Sequence, residues 1–357
     1  MASYIKSALS QNRNYILEIK TVSPNINSIT CDSNNKLLLT VSVKDFMGNP
    51  VSKVRINTAV ANGIGEVFPK YGLTDDDGDC IVTYVPPAIK QSDVEKFKNN
   101  IPIKASISSS IAKVNITRTF EIAIKPIPIV YIHGYQESKN VFTSMDNYLV
   151  KSGFESGFFS YDSNEGVELS AYDLAKFLEE SRLYYLDRGL QVKSFNIICH
   201  SMGGLVARYY TCSDKYWVSN DVNKLIFIAT PHKGSHIASI GASIYDDYGI
   251  RDLQPDSDLI NKIFPKLFNK GLNSTIQTAN ILGQYDEVVS FDSASLEEWD
   301  IKTEVYNVGE NNLTVDSILK GTFMPALNHE NILSNTKVFE RIEEMLYQDL
   351  KFPTYLQ

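Results

Sequence analysis

The chain has 357 residues, 43% of them hydrophobic, with 20 Tyr, 17 Phe and a formal charge of −8, which suits two domains or one large one with a sizeable core. The acidic balance argues against a nucleic-acid partner. No window approaches the ~18 uninterrupted apolar residues of a transmembrane helix. The first residues also lack the apolar stretch of a signal peptide, so a cytoplasmic protein is expected, or a secreted or cell-surface one if a leader precedes this sequence.

From about Ser23 to Ile124 the hydrophobic pattern has period two. Leu39, Val41 and Val43 alternate with Thr40, Ser42 and Lys44, and Val114, Ile116, Phe120, Ile122 and Ile124 do the same apart from Arg118. This predicts antiparallel strands with one buried face. Turn residues at 47–50 and 75–79 punctuate the pattern, which suggests a β-sandwich. The loop at 75–79 invites a calcium reading with Asp75, Asp77 and Asp79 as ligands. The glycine such a loop needs next is Cys80, so a solvated hairpin turn is expected. Lys90–Asn100 is polar and reads as a short helix or a long loop, and residues 1–20 give no clear element. The four cysteines, Cys31, Cys80, Cys199 and Cys212, show no CxxC spacing, and whether Cys31 and Cys80 pair is open. The five histidines show no metal-ligand spacing, so neither metal nor cofactor is expected.

Two phrases in this region, VSVKDFMGNPVSKV from Val41 to Val54 and LTDDDGDCIVTYV from Leu73 to Val85, resemble bacterial Ig-like domains of the invasin and intimin type. The resemblance covers roughly a hundred residues. It implies a spacer or adhesion module.

Lys125-Pro126-Ile127-Pro128 is a stiff, extended connector. It places the boundary between an all-β domain at 1–125 and a second domain at 126–357. Beyond it the alternation gives way to βαβ units. Ile129–Ile132 is a continuous apolar strand followed by His133-Gly134-Tyr135. Helical spacing of Phe142, Met145 and Leu149 comes next, then a strand at Gly157–Tyr161 and a long helix at Val167–Arg188. Further strands are predicted at Leu225–Ala229, Ala279–Leu282 and Thr303–Val308. This order predicts an α/β domain with a mostly parallel, doubly wound sheet.

Ser194 to Tyr210 organises that domain. Phe195, Ile197 and Ile198 form a buried-strand run, and Leu205, Val206 and Tyr209 fall at helical spacing after a tight turn. Ser201 stands at the tip of the turn, the layout of a nucleophile elbow. Gly203 and Gly204 let strand and helix approach behind it. The usual Gly-x-Ser-x-Gly pattern departs by one residue here, because Cys199 takes its first position.

His133-Gly134, CHSMGG at 199–204, ATPHKGS at 229–235 and DLQPDS at 252–257 occur in this order. The series resembles bacterial triacylglycerol lipases and related lipase-like α/β-hydrolases, including those akin to GPI inositol-deacylases, over roughly residues 126–350. The resemblance implies the α/β-hydrolase fold. In that fold the chain order is nucleophile, acid, histidine. His133 precedes Ser201, His200 lies within the elbow, and His232 and His236 precede any acid candidate. His329, after the last predicted strand, is the candidate base. The family places its carboxylate after the penultimate strand, often as a glycine, an aspartate and two valines. That pattern selects Asp286 in GQYDEVVS, with Glu287 adjacent and Asp292 in reserve. By the same analogy the oxyanion donors are the backbone N–H groups of Tyr135 and Met202.

The segment at about 236–279 reads as a cap or lid insertion. Within it Leu259, Ile260, Ile263, Phe264, Leu267 and Phe268 recur at helical spacing, with Lys262, Lys266 and Lys270 on the other side and Pro265 as a kink. It is either a lid that lies on a lipid interface or a cap helix packed on the body. The expected function is a serine carboxylic-ester hydrolase, lipase or esterase, acting on acyl esters of lipid-like character through an acyl-enzyme. Phospholipid deacylases, acyltransferases and amidases share the same elbow chemistry. The alternative of another class is an adhesion or binding protein that works through its Ig-like module.

Overall fold

The computed structural model describes residues 15–23, 25–88, 101–109, 114–241, 246–308 and 327–356. Lys90–Asn100 and residues 1–14 lie outside them. The chain divides into two compact units, Met1–Pro126 with Arg182–Lys193, and Ile127–Ser181 with Ser194–Gln357.

The first unit is all-β. Strands β1 (Ile16–Thr21), β2 (Ser28–Thr30), β3 (Leu37–Lys44), β4 (Arg55–Val60), β5 (Glu66–Phe68), β6 (Tyr71–Leu73), β7 (Asp79–Val85), β8 (Ile101–Ser109) and β9 (Val114–Lys125) form two sheets. One is antiparallel in the order β1-β3-β7-β5. Its period-two sequence does what the pleat requires: Leu37, Leu39, Val41 and Val43 of β3 are buried, while their neighbours point outward. The other sheet adds β12 (Leu190–Gln191) and runs β12-β2-β9-β8-β4-β6. It departs from the antiparallel expectation, because β2 pairs in parallel with both β9 and β12. Two-residue and three-residue strands carry little sequence pattern of their own, so long-range pairing decides their direction. Cys31 and Cys80 are buried and not joined by a disulfide. The 75–79 loop is a hydrogen-bonded turn in which Asp75 Oδ1 accepts from the N–H groups of Asp77 (3.0 Å) and Asp79 (2.9 Å).

The second unit is built on a six-stranded parallel sheet. It contains β10 (Ile129–Ile132), β11 (Ser156–Phe159), β13 (Phe195–His200), β14 (Val222–Ile228), β15 (Gln277–Gly283) and β16 (Thr303–Tyr306), in the order β11-β10-β13-β14-β15-β16. Every residue of β10 and β13 is buried, as the continuous apolar runs demand of central parallel strands. The helices in chain order are α1 (Thr143–Leu149), α2 (Val167–Asp187), α3 (Met202–Thr211), α4 (Asp214–Ser219), α5 (His236–Gly241), α6 (Tyr248–Asp252), α7 (Phe291–Ala294), α8 (Leu327–Asn331) and α9 (Thr336–Tyr347). Lys224 on β14 donates to the carbonyls of Met345 (2.8 Å), Leu346 (2.9 Å) and Gln348 (2.5 Å). A buried ammonium thus caps the carbonyl end of α9, where the helix dipole favours a cation.

Candidate active site

From β10 the chain crosses to β11 on one side of the sheet and then to β13 on the other. The carboxyl ends of β10 and β13 therefore form a topological switch point, where an open α/β sheet leaves a crevice for a ligand. Ile132 pairs in register with Cys199, so His133-Gly134 runs beside His200-Ser201. A Cβ on Gly134 would stand 2.8 Å from the Ser201 Cβ.

Ser201 sits between β13 and α3 with φ 51° and ψ −125°, a conformation that costs a non-glycine residue about 1–3 kcal/mol. It holds because the elbow is fixed on all sides. The Ser201 N–H donates to Ile228 O at 3.0 Å, and its carbonyl accepts from Gly204 N–H at 3.0 Å. A Cβ on Gly203 would meet the carbonyl oxygens of Ile132 and His133 at 2.5 Å, and one on Gly204 would meet Thr230 Oγ1 at 2.0 Å. Gln136 (53°), Ala229 (47°) and Tyr285 (62°), in the loops after β10, β14 and β15, also have positive φ, so strained backbone recurs at this edge of the sheet. Met202 opens α3, where a first-turn N–H has no intrahelical acceptor and the helix dipole is positive.

His329, in α8, and Asp286, in the loop after β15, are joined by a hydrogen bond of 2.8 Å from His329 Nδ1 to Asp286 Oδ2. Asp286 Oδ1 accepts from Val288 N–H (2.9 Å) and Val289 N–H (2.8 Å). Burial alone would raise the Asp286 carboxyl, but His329 and the two amides outweigh it, and the carboxyl lies below its usual range. Burial likewise works against a charged His329, yet Asp286, with Glu137 and Glu287, outweighs it and the imidazole lies above its usual value. Among the described residues no hydrogen bond joins Ser201 Oγ to His329. Glu287 accepts from Asn328 N–H at 2.9 Å, and it is Asp286 that bonds His329 Nδ1. Asp292 is an exposed residue of the first turn of α7.

Beside this pair lies an arrangement that the sequence did not announce. Glu137, in the turn after β10, accepts from Gly134 N–H at 2.6 Å and from His200 Nδ1 at 2.9 Å. His200 Nε2 donates to the carbonyl of His329 at 3.0 Å, and the two imidazole rings lie 4.6 Å apart. Burial opposes the charge of Glu137, but His200, His329 and the Gly134 N–H hold its carboxyl down at about 2. A lone glutamate in a turn gives no periodicity or spacing by which to find it.

The remaining histidines have other work. His133 donates to Gly134 O at 2.9 Å and stacks on Tyr161. His232 is buried against Arg208, and His236 is exposed at the start of α5. Tyr135, next to Gly134, turns its hydroxyl to Asp247 Oδ2 at 2.5 Å, the N-cap residue of α6. The later motifs brace the loops. Ser235 Oγ donates to Val288 O at 2.6 Å and Ser235 N–H to Leu253 O at 2.7 Å, so the 229–235 motif fastens the acid loop. Asp252 accepts from Val167 N–H at 2.8 Å and thereby caps α2.

The expected amphipathic helix beyond Leu259 is not continuous. Leu259–Ile263 forms a π-type turn that runs directly into a tight 3₁₀ turn at Phe264–Lys266 containing Pro265, and extended Leu267 (ψ 165°) breaks the run before a further turn at Phe268–Gly271 that holds left-handed Asn269 and Lys270. Leu259 and Phe264 are buried and Lys262, Lys266 and Lys270 are exposed. Arg208 of α3, itself buried, donates to Gly271 O at 2.9 Å and lies 4.2 Å over the Phe264 ring. Burial lowers its guanidinium to about 10, still a cation at neutral pH. This half of the insertion is pinned to the body.

Comparison with known proteins bears on the same region. Residues 123–250 match the family model of the PGAP1-like alpha/beta domain. Over 54 residues the chain is 41% identical to triacylglycerol lipase 2 of Saccharomyces cerevisiae, a stretch that spans 15% of this chain and 16% of the yeast protein. The propeptide form of Bacillus licheniformis lipase BlEst2 has a TM-score of 0.48 at 16% identity, with 65% of this chain and 52% of that one covered. Aspergillus fumigatus lipase B has a TM-score of 0.48 at 15% identity, with 64% and 54% covered. The chain thus spans about half the length of these solved lipases and far less of the yeast protein. Its sheet order, its strained serine turn and the matched domain make the second unit an α/β-hydrolase domain.

Proposed function

We propose that the protein is a serine carboxylic-ester hydrolase of the lipase or esterase kind, with Ser201 as nucleophile, His329 as base and Asp286 as the acid that orients it. The observation that carries the proposal is the 2.8 Å bond between His329 and Asp286 at the sheet edge where Ser201 protrudes. In this cycle Ser201 Oγ attacks the acyl carbon as His329 Nε2 takes its proton. The developing oxyanion accepts hydrogen bonds from the backbone N–H groups of Met202 and Tyr135, each worth on the order of 10²–10³ in rate. Collapse expels the alcohol, which leaves with the proton from His329. Water, deprotonated by the same imidazole, then releases the acid and restores Ser201.

Acyl esters of lipid-like character fit the cap at about 236–279. Ile237 (43%), Ile240 (55%) and Tyr248 (67%) expose apolar surface on its first half, which supports a lipid-facing lid. The all-β unit we read as an Ig-like module that spaces or presents the hydrolase. The test is hydrolysis of p-nitrophenyl esters from acetate to palmitate by the intact protein and by Ser201→Ala. Turnover that vanishes in the variant supports the reading, and the chain-length optimum separates esterase from lipase. A folded protein that turns over no ester at any length, or a fully active Ser201→Ala, would sink it.

A further inference from the structure

We propose that Glu137 and His200 are positioning residues of this site: a second carboxylate–imidazole pair that holds the oxyanion strand and the loop of the catalytic base in register with the nucleophile. The proposal rests on the ester-hydrolase reading above.

Three stretches of chain meet at this pair. Glu137 belongs to the turn after β10 and takes the Gly134 N–H at 2.6 Å. His200 ends β13 and immediately precedes Ser201. His329 belongs to α8, and its carbonyl accepts from His200 Nε2 at 3.0 Å. A carbonyl can only accept, so Nε2 of His200 donates to it, while Nδ1 lies 2.9 Å from the Glu137 carboxylate. The result is one continuous path, from Gly134 N–H to Glu137, from Glu137 to His200 and from His200 to His329 O. It links the residue before one oxyanion donor, the residue before the nucleophile and the main chain of the base.

The path is sealed from water. The side chain of His200 is 0% exposed and that of Glu137 is 11% exposed. Taking such a pair out of water is costly, and breaking it leaves a charge buried without a partner. The pair's main-chain contacts are the Gly134 N–H in the turn after β10 and the His329 carbonyl in α8. It also acts on the base through space. The groups that face His329 are Asp286 and Glu287 from the loop after β15, Glu137 from the turn after β10 and the ring of His200. Against the burial of His329, Asp286 raises it most, followed by Glu137 and then Glu287.

Glu137→Gln, His200→Gln and Glu137→Asp would be compared with wild type and Ser201→Ala on p-nitrophenyl butyrate between about pH 5 and about pH 9. Active sites would be counted with a fluorophosphonate, so that a misfolded fraction does not enter kcat. Both Gln variants are expected to lose about 10–100-fold in kcat with KM within about twofold, because misplacement near 1 Å costs on that scale. Glu137→Gln should also move the acid limb of the profile to lower pH, since a carboxylate that favours charged His329 is gone. Glu137→Asp keeps the charge and should keep the limb in place, and it decides the matter if the Gln variants do not fold. Wild-type kcat and an unmoved profile in folded Gln variants would overturn the proposal. Turnover that survives in Ser201→Ala would overturn the ester-hydrolase reading instead.

Discussion

His329 and Asp286, 43 residues apart in sequence, meet through a single 2.8 Å hydrogen bond in which one carboxylate oxygen takes the ring N–H. The other oxygen is held by the amides of Val288 and Val289, so the carboxylate cannot rotate away from the imidazole without losing both. Asp286→Asn puts an NH₂ either against the ring N–H or against those amides. It should lower kcat by as much as ~10⁴ while KM changes little, as expected when the base is held in the wrong tautomer. Steady-state kinetics on a short p-nitrophenyl ester check this. A fully active Asn variant would move the acid to Asp292.

The same pair fixes a pH dependence. Its sign follows from the base having to be neutral to accept the proton of Ser201. Asp286 favours the charged form and lifts His329 above its ordinary value despite burial. The kcat/KM of the free enzyme should therefore fall as pH drops through a value above the usual histidine range of about 6.5. Removing the charge in Asp286→Asn should shift that limb downward in whatever activity remains. A wild-type limb at or below the ordinary histidine value would count against His329 as the base.

Gly203 tests the elbow without touching a reacting group. An added Cβ would sit 2.5 Å from the carbonyl oxygens of Ile132 and His133, which are backbone atoms of β10 and of the loop beside Ser201. Neither can swing aside as a side chain can. Gly203→Ala should cost about 1–3 kcal/mol of stability and displace the Gly134–Tyr135 segment, with a larger loss in kcat than in substrate binding. Denaturant titration and kinetics on one preparation would check both effects. An Ala variant as active as wild type would mean that this close approach does not set the geometry.

Much of the second unit was legible because its signals are local. A run such as Phe195–Ile198 has to be a buried strand, and the glycines after Ser201 mark a turn that bulkier residues would block. His329 and Asp286 could be named from chain order and from the lipase resemblance. Glu137 could not, since its role depends on His200 and His329 arriving from elsewhere in the chain. The strand at Leu190–Gln191 was equally hidden, because two residues carry no period and only their pairing with Ser28 and Ile29 defines them. The segment after Leu259 misled for a related reason. Its apolar spacing suits a helix, but extended Leu267 and the left-handed Asn269 and Lys270 break it into separate turns.

Those turns are held by one buried cation, which yields a prediction remote from the chemistry. Arg208 donates to Gly271 O (2.9 Å) and His232 O (3.2 Å) and lies over the rings of Phe264 (4.2 Å) and Trp299 (5.4 Å). Arg208→Ala removes the donors, leaves buried carbonyls unsatisfied and opens a cavity, and should destabilise the protein by about 3–5 kcal/mol. Arg208→Met keeps much of the packing and loses only the hydrogen bonds, so it should cost roughly half as much. Both should expose the 259–271 segment to limited proteolysis before the body unfolds, because the clamp is local. If Arg208→Ala melts like wild type and the segment resists protease, the guanidinium does not fasten the cap, and the packing of Leu259 and Phe264 holds it alone.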